Sequence, residues 1–146
     1  MENISLSKKE TKKYLETMNK QEMNEFLESI GGLINGFKRD DTPITDAGFF
    51  SVGYGWYPLI KDLITDIIEL GWDKEVCQVK EKFGGLRFYI NGATDEVHNR
   101  IREAENLSYN TCETCGEEGE LRTDIGWYTT YCNKHYEERK SNISRK

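Results

Sequence analysis

Cys112, Cys115, Cys132 and His135 spell C-x2-C-x16-C-x2-H, three thiols and one imidazole suited to gripping a single soft cation. Each half sets two ligands three positions apart, a spacing at which a tight turn brings both side chains onto one ion. Zinc accepts this set as a closed tetrahedral site. Gly116 follows the first pair, where a metal knuckle needs a backbone with positive φ. The second pair leads into Tyr136-Glu137-Glu138-Arg139-Lys140, a helix-compatible stretch. Knuckle, hairpin and ligands at a helix start together make a treble-clef-like zinc module over residues 109–140. With no coordination position left open, Zn2+ is assigned a structural role rather than a catalytic one.

Disulfides are the competing use of cysteine. The chain has four, but Cys77 lies far from the other three. Met1 to Lys20 is polar and carries no apolar h-region, which points to a reducing, cytoplasmic setting where paired cysteines favour metal.

Elements must position those ligands, and the composition bounds what they can be. A length of 146 residues with 36% hydrophobic and 32% charged content describes one domain, or a small core with a metal-stapled appendage. Net charge of −6 argues against general nucleic-acid binding, which depends on Lys and Arg neutralising phosphates. No run approaches the ~20 apolar residues of a membrane helix.

Ser7-Lys8-Lys9-Glu10 and Asn19-Lys20-Gln21-Glu22 both have capping-box form and announce two short helices. In the second, Met23, Phe26, Leu27 and Ile30 fall on one stripe before Gly31-Gly32 ends the helix. Residues 35–54 read as a glycine-punctuated loop whose Phe49-Phe50, with Tyr54, Trp56 and Tyr57 beyond, plugs onto the core rather than lining a pocket. Leu59, Ile60, Leu63, Ile64, Ile67 and Ile68 mark the central amphipathic helix, opening near Pro58 and closing at Gly71. Two strands over 76–83 and 86–90 follow, joined through Gly84-Gly85. Alternation places Cys77, Val79 and Phe83 inward with Leu86, Phe88 and Ile90, and Lys80, Lys82, Arg87 and Tyr89 outward. Val97, Ile101, Ala104 and Leu107 form the stripe of a further helix capped by Thr94 or Asp95.

The fold expected is α+β: helices packed on a small antiparallel hairpin or sheet, with the zinc module at the C-terminus. Its divisions are a helical segment 1–34, an α+β core 35–108, the zinc module 109–140 and a tail 141–146.

Outside the metal motif the strongest chemical feature is the outward row of Lys80, Lys82, Arg87 and Tyr89. A guanidinium beside an aromatic ring suits a phosphate and a stacked base, so a ligand here would be anionic. An ordinary solvated sheet face is the plainer use of the same residues. His98 has no Ser, Cys or Asp partner by spacing, Cys77 reads as inert packing, and Asp62, Asp66 and Glu69 read as the solvated side of the central helix. No nucleotide-binding glycine loop, nucleophile elbow or zincin motif is present.

Three pieces in this order, Lys80-Glu81-Lys82-Phe83-Gly84-Gly85-Leu86-Arg87-Phe88-Tyr89, then Ala104-Glu105 with Ser108, then the Cys112–His135 motif containing Gly126-Trp127, resemble a group of small bacteriophage and prophage proteins. The resemblance spans residues 55–135 and brings no reaction with it. It implies a mobile-element origin and action inside a bacterial cell. The leading expectation is a non-enzymatic, zinc-stabilised protein that docks a host or defence protein. The alternative is a binder that sequesters an anionic nucleotide signal on Lys80, Lys82, Arg87 and Tyr89. An enzyme comes third.

Overall fold

A computed structural model describes residues 18–38 and 42–144. Among these, four α-helices and six strands alternate along the chain, with the helices and a small sheet closing one core. The first capping box, Ser7 to Glu10, lies outside the described residues.

Helix α1 (Lys20–Ser29) starts where the second capping box places it. Asn19 Oδ1 accepts from the Glu22 N–H at 2.9 Å, and Glu22 Oε1 accepts in return from the Asn19 N–H at 3.0 Å. The stripe buries Met23 and Leu27 and half-buries Phe26 and Ile30. The Gly32 N–H then closes the helix on the Leu27 carbonyl at 2.8 Å.

Helix α2 (Tyr57–Glu69) is the centre of the molecule. Proline in its first turn loses no hydrogen bond there, and Leu59, Ile60, Leu63, Ile64 and Ile67 are all buried. Burial of five such side chains contributes on the order of 10 kcal/mol. Its ion pair from Asp66 to Arg100, at 2.8 Å and part exposed, contributes about 1 kcal/mol at most. Apolar burial therefore sets where this helix sits, and the ion pair only trims it.

The sheet is built on β3 (Glu75–Lys82). Strand β4 (Gly85–Ile90) pairs antiparallel along one side of it. Two short strands, β1 (Ile34–Asn35) and β2 (Phe50–Ser51), pair parallel with β3, Ile34 opposite Glu75 and Phe50 opposite Val79, and so share its other side. The sheet is therefore mixed, not a lone antiparallel hairpin, and residues 35–54 are not merely a loop. Strands of two residues carry no periodicity of their own. They exist because the free side of β3 offers them a ladder. Phe50, Trp56 and Tyr57 are buried and Phe50 meets Tyr57 edge-on, so these rings plug onto the core as expected, whereas Tyr54 is half exposed.

Two side chains on the hairpin point other than alternation expects. The register slips between Val76 and Gln78, leaving Cys77 as the extra residue of a bulge. Val76 and Val79 consequently both face the core, while Cys77 is half-buried and donates its thiol to Asn91 Oδ1 at 3.1 Å. Phe83 is not on the inner face either. With Gly84 it forms the two-residue turn between β3 and β4, at φ 53° and 88°, and its ring stands in solvent.

Helix α3 (Asp95–Ser108) begins at Thr94, whose hydroxyl accepts from the Val97 N–H at 3.3 Å. Val97, Ile101 and Ala104 are buried, but Leu107 is exposed and Ser108 takes the inward position. The reason is polar. The outer edge of β4 presents N–H groups with no strand beside them; Leu86 donates to Ser108 Oγ at 2.8 Å and Phe88 to Glu105 Oε2 at 3.0 Å. Ser108→Ala leaves a buried donor unpaired and is expected to cost about 1–3 kcal/mol in urea unfolding. An unchanged midpoint would mean that this edge is not held by α3.

The C-terminal part consists of β5 (Glu120–Arg122) and β6 (Thr129–Tyr131), an antiparallel pair, followed by α4 (Asn133–Ser144). Helix α4 runs through Ser144, into the residues expected to form a tail.

Candidate metal centre

Cys112 and Cys115 lie on the turn before β5, and Cys132 and His135 lie at the joint between β6 and α4. Their ligand atoms all fall within 4.8 Å of one another. Cys115 Sγ and Cys132 Sγ stand 3.8 Å apart, and His135 Nδ1 lies 3.6 Å from Cys112 Sγ and 3.2 Å from Cys132 Sγ. A tetrahedron with metal–sulfur bonds of about 2.3 Å has sulfur–sulfur edges of about 3.8 Å, which the Cys115–Cys132 edge matches, and all four atoms lie close enough to bind one metal ion. A disulfide, at about 2.05 Å, is a different arrangement, and all four cysteines are free thiols. The ligand set brought together is the one the spacing predicts.

Backbone geometry fixes the ligands. The Cys112 N–H donates to the Glu117 carbonyl at 2.7 Å and the Gly116 N–H to the Cys112 carbonyl at 2.8 Å, folding 112–117 into a knuckle. Gly116 sits at φ 83°, as the sequence requires. At the other half, the Tyr136 N–H donates to the Cys132 carbonyl at 2.9 Å, which starts α4 and turns His135 back onto the cluster. Arg122 braces this joint: its Nε and Nη2 reach the Tyr131 carbonyl at 3.2 and 3.1 Å, and Nη2 also reaches Asn133 Oδ1 at 2.9 Å.

Two of the thiols are shifted in opposite directions. Burial pushes the Cys115 thiol up to about 12, with the neighbouring Cys112 adding to the rise. Burial also pushes Cys132 up, but N–H donors of His135 and Lys134 bring it below the ordinary thiol range. Crowded thiolates repel each other, and a divalent ion among them cancels that cost.

The unexpected part of the site comes from far along the chain. The Gly55 N–H donates to the Glu113 carbonyl at 2.8 Å, Trp56 Nε1 donates to the Thr111 carbonyl at 2.8 Å, and the Gly53 N–H donates to Glu113 Oε2 at 2.9 Å. Burial holds the Glu113 carboxyl above its usual range, the Gly53 N–H opposes that shift, and the charge of Glu81 adds to it. A Cβ on Gly55 would lie 2.2 Å from the Cys112 carbonyl oxygen and 2.7 Å from the Cys115 nitrogen. The segment before α2 is thus pressed against the back of the knuckle, and the metal ligands are keyed into the core. Sequence reasoning missed this contact. The signal available was Gly53-Tyr54-Gly55-Trp56, two glycines ahead of a buried tryptophan.

The hairpin forms a second joint. Thr130 Oγ1 donates to the Gly84 carbonyl at 2.7 Å, and a Cβ on Gly84 would lie 2.4 Å from Leu121 Cδ1.

Lys80, Lys82, Arg87 and Tyr89 do share one sheet face. Lys80 is in register with Arg87 and Lys82 with Gly85, while Tyr89 stands opposite Gln78. Lys80 Nζ lies 5.8 Å from the Tyr89 ring centre. Arg87 Nη1 is bound to the Leu86 carbonyl at 3.1 Å and to the Tyr109 hydroxyl at 3.3 Å, a contact that raises the guanidinium pKa. The ring of Tyr109 also covers Gly85, where a Cβ would come within 2.3 Å of it.

His98 is half-buried on α3. The acidic side of α2 is used in ion pairing at Asp66, and Asp62 is held above the usual carboxylate range by burial and by Asp66. Among the described residues, the Cys112 cluster is the group of three or more ligand side chains close enough for one ion, and no helix is long and apolar enough to cross a membrane. No family model, curated protein or solved structure matches the chain.

Proposed function

We propose that this chain is a non-enzymatic binding protein whose C-terminal part is a treble-clef unit held by structural Zn2+, and that it docks another protein inside a bacterial cell. The observation that carries the reading is the closed ligand set. Three sulfurs and Nδ1 of His135 lie within 4.8 Å of one another, enough ligands to complete a tetrahedron around one ion with no position left for substrate. Its placement agrees. The knuckle touches residues 53–56 and the adjoining hairpin touches the β3–β4 turn, so the ion joins three segments and does no bond-breaking. When bound, zinc supplies cohesion; Cys112, Cys115, Cys132 and His135 supply selectivity for a soft, tetrahedral ion.

Elemental analysis of protein purified without chelator should give one zinc per chain. Cobalt substitution should give the intense ligand-field bands of a tetrahedral thiolate site. Absence of stoichiometric zinc, or a site that exchanges a bound water, removes the structural assignment.

The anionic-nucleotide reading is kept for one reason: Lys80, Arg87 and Tyr89 do stand together on one face. Denaturing the purified protein and analysing released small molecules tests it. A co-purifying nucleotide lost in Arg87→Glu would put this reading first; a nucleotide retained in that variant would place its site elsewhere.

A further inference from the structure

We infer that the aromatic surface where the β3–β4 turn meets the β5–β6 hairpin is a docking face for an acidic polypeptide segment bearing apolar side chains. The inference rests on the binding-protein reading and names its face and its partner's chemistry.

The surface is unusual for a chain so poor in apolar residues. Phe83 is 65% exposed, Tyr128 51%, Trp127 41% and Leu121 40%. Phe83 and Tyr128 meet edge-on at 6.4 Å, Leu121 lies against the turn at Gly84, and Trp127, next in sequence to Tyr128, lies by Arg139 of α4. Contiguous exposed aromatics of this kind mark interaction surfaces, because they offer large burial for little conformational entropy.

Phe83 gives an independent sign. It occupies the first position of a two-residue turn at φ 53°, where Asn, Asp or Gly fit and a bulky side chain is strained. Folding gains little from a phenylalanine there, since its ring is 65% exposed and its contacts with Tyr128 and Lys82 lie at the surface. A backbone outlier carrying an exposed ring points to use of the ring.

Charge selects the partner. Lys82 Nζ lies 5.6 Å from the Phe83 ring centre and the Arg139 guanidinium carbon 5.0 Å from that of Trp127, so a cation stands at each end of the run. Lys80 is two residues from Lys82 on the same sheet face. Two nearby acids have partners within the chain: Glu81 accepts from the Gly84 N–H at 2.7 Å, and Asp124 accepts from the Tyr136 hydroxyl. Apolar rings between cations fit a segment with apolar anchors among Asp and Glu. Single-stranded nucleic acid also joins stacking to negative charge, but the net charge of −6 opposes a polyanion more than a short acidic segment.

The test is selection of a random peptide library on the full chain, with binding read by Trp127 fluorescence. Trp56 and Trp72 are buried, so quenching by added iodide reports mainly on Trp127. Enriched peptides should combine Asp or Glu with bulky apolar residues, protect Trp127 from iodide, and weaken at least tenfold with Phe83→Asn. That substitution suits the left-handed turn, so melting temperature should hold or rise while binding falls. Lys82→Glu with Arg139→Glu should weaken the same peptides and invert their salt dependence. Peptides that bind Phe83→Asn as tightly as the parent overturn the assigned face and leave the binding-protein reading standing. Basic peptides, or tighter binding of a twenty-residue oligothymidine, overturn the assigned partner. A selection that enriches nothing overturns the inference and the protein-docking reading together.

Discussion

Chelating the ion proposed at the Cys112 cluster from the purified protein is expected to unfold residues 109–144 and to lower the melting temperature of the remainder by 10 °C or more, on the order set by losing a few kcal/mol from a small domain. The C-terminal part buries little apolar surface of its own, Ile125 being its one buried aliphatic side chain among the described residues. Strands β5 and β6 have three residues each, and α4 buries none of its described side chains. Contacts around α4 include ring–cation pairs such as Arg122 on Tyr136, at 4.3 Å, each contributing about 0.5–2 kcal/mol. Zinc bound by a small finger contributes an apparent ~10–16 kcal/mol, more than such contacts can replace. Because Trp56 and the β3–β4 turn both rest on this part, its loss should also loosen the core. Cys132→Ser, which keeps the size but not the thiolate, should reproduce the effect. Amide spectra of the chelated protein check it: signals from 109–144 should collapse toward unfolded positions. Unchanged spectra from protein shown to be metal-free would mean that packing alone maintains this region.

Gly55→Ala should be among the most damaging substitutions outside the ligands, costing about 3–5 kcal/mol, in the range of core overpacking combined with broken hydrogen bonds. The added methyl would meet the Cys112 carbonyl oxygen at 2.2 Å, the Gly116 nitrogen at 2.6 Å and the Cys115 nitrogen at 2.7 Å. All three are backbone atoms of the knuckle, so no side chain can swing aside. Either residues 53–56 lift off, breaking the Gly55 and Trp56 hydrogen bonds to Glu113 and Thr111, or the knuckle deforms and spreads its sulfurs. The first route unfolds the core at lower urea; the second weakens binding of the proposed ion in a competition assay. A variant with parental urea midpoint and parental zinc affinity would show that the two segments do not press together in solution. Gly92→Ala is the control, since a Cβ there meets nothing within 4 Å.

Spacing, period and composition determined a good deal before any coordinates. Four ligands at fixed offsets defined the metal cluster because both halves are local turns, whose geometry a few neighbouring residues dictate. The i, i+4 rhythm of Leu59 to Ile68 defined α2 for the same reason, since a helix reports its buried face in its own sequence. Period also has a limit, and this chain meets it twice. One extra residue at Cys77 reverses inward and outward for everything before it, and a two-residue turn lifts Phe83 off the face that alternation assigns. Strands β1 and β2 are too short to have a period at all. The docking of Gly53 onto Glu113, across 60 positions, and the fit of Ser108 to the edge of β4, across 22, were decided only by the folded molecule. Such contacts depend on two surfaces meeting, and neither segment alone carries a record of the other.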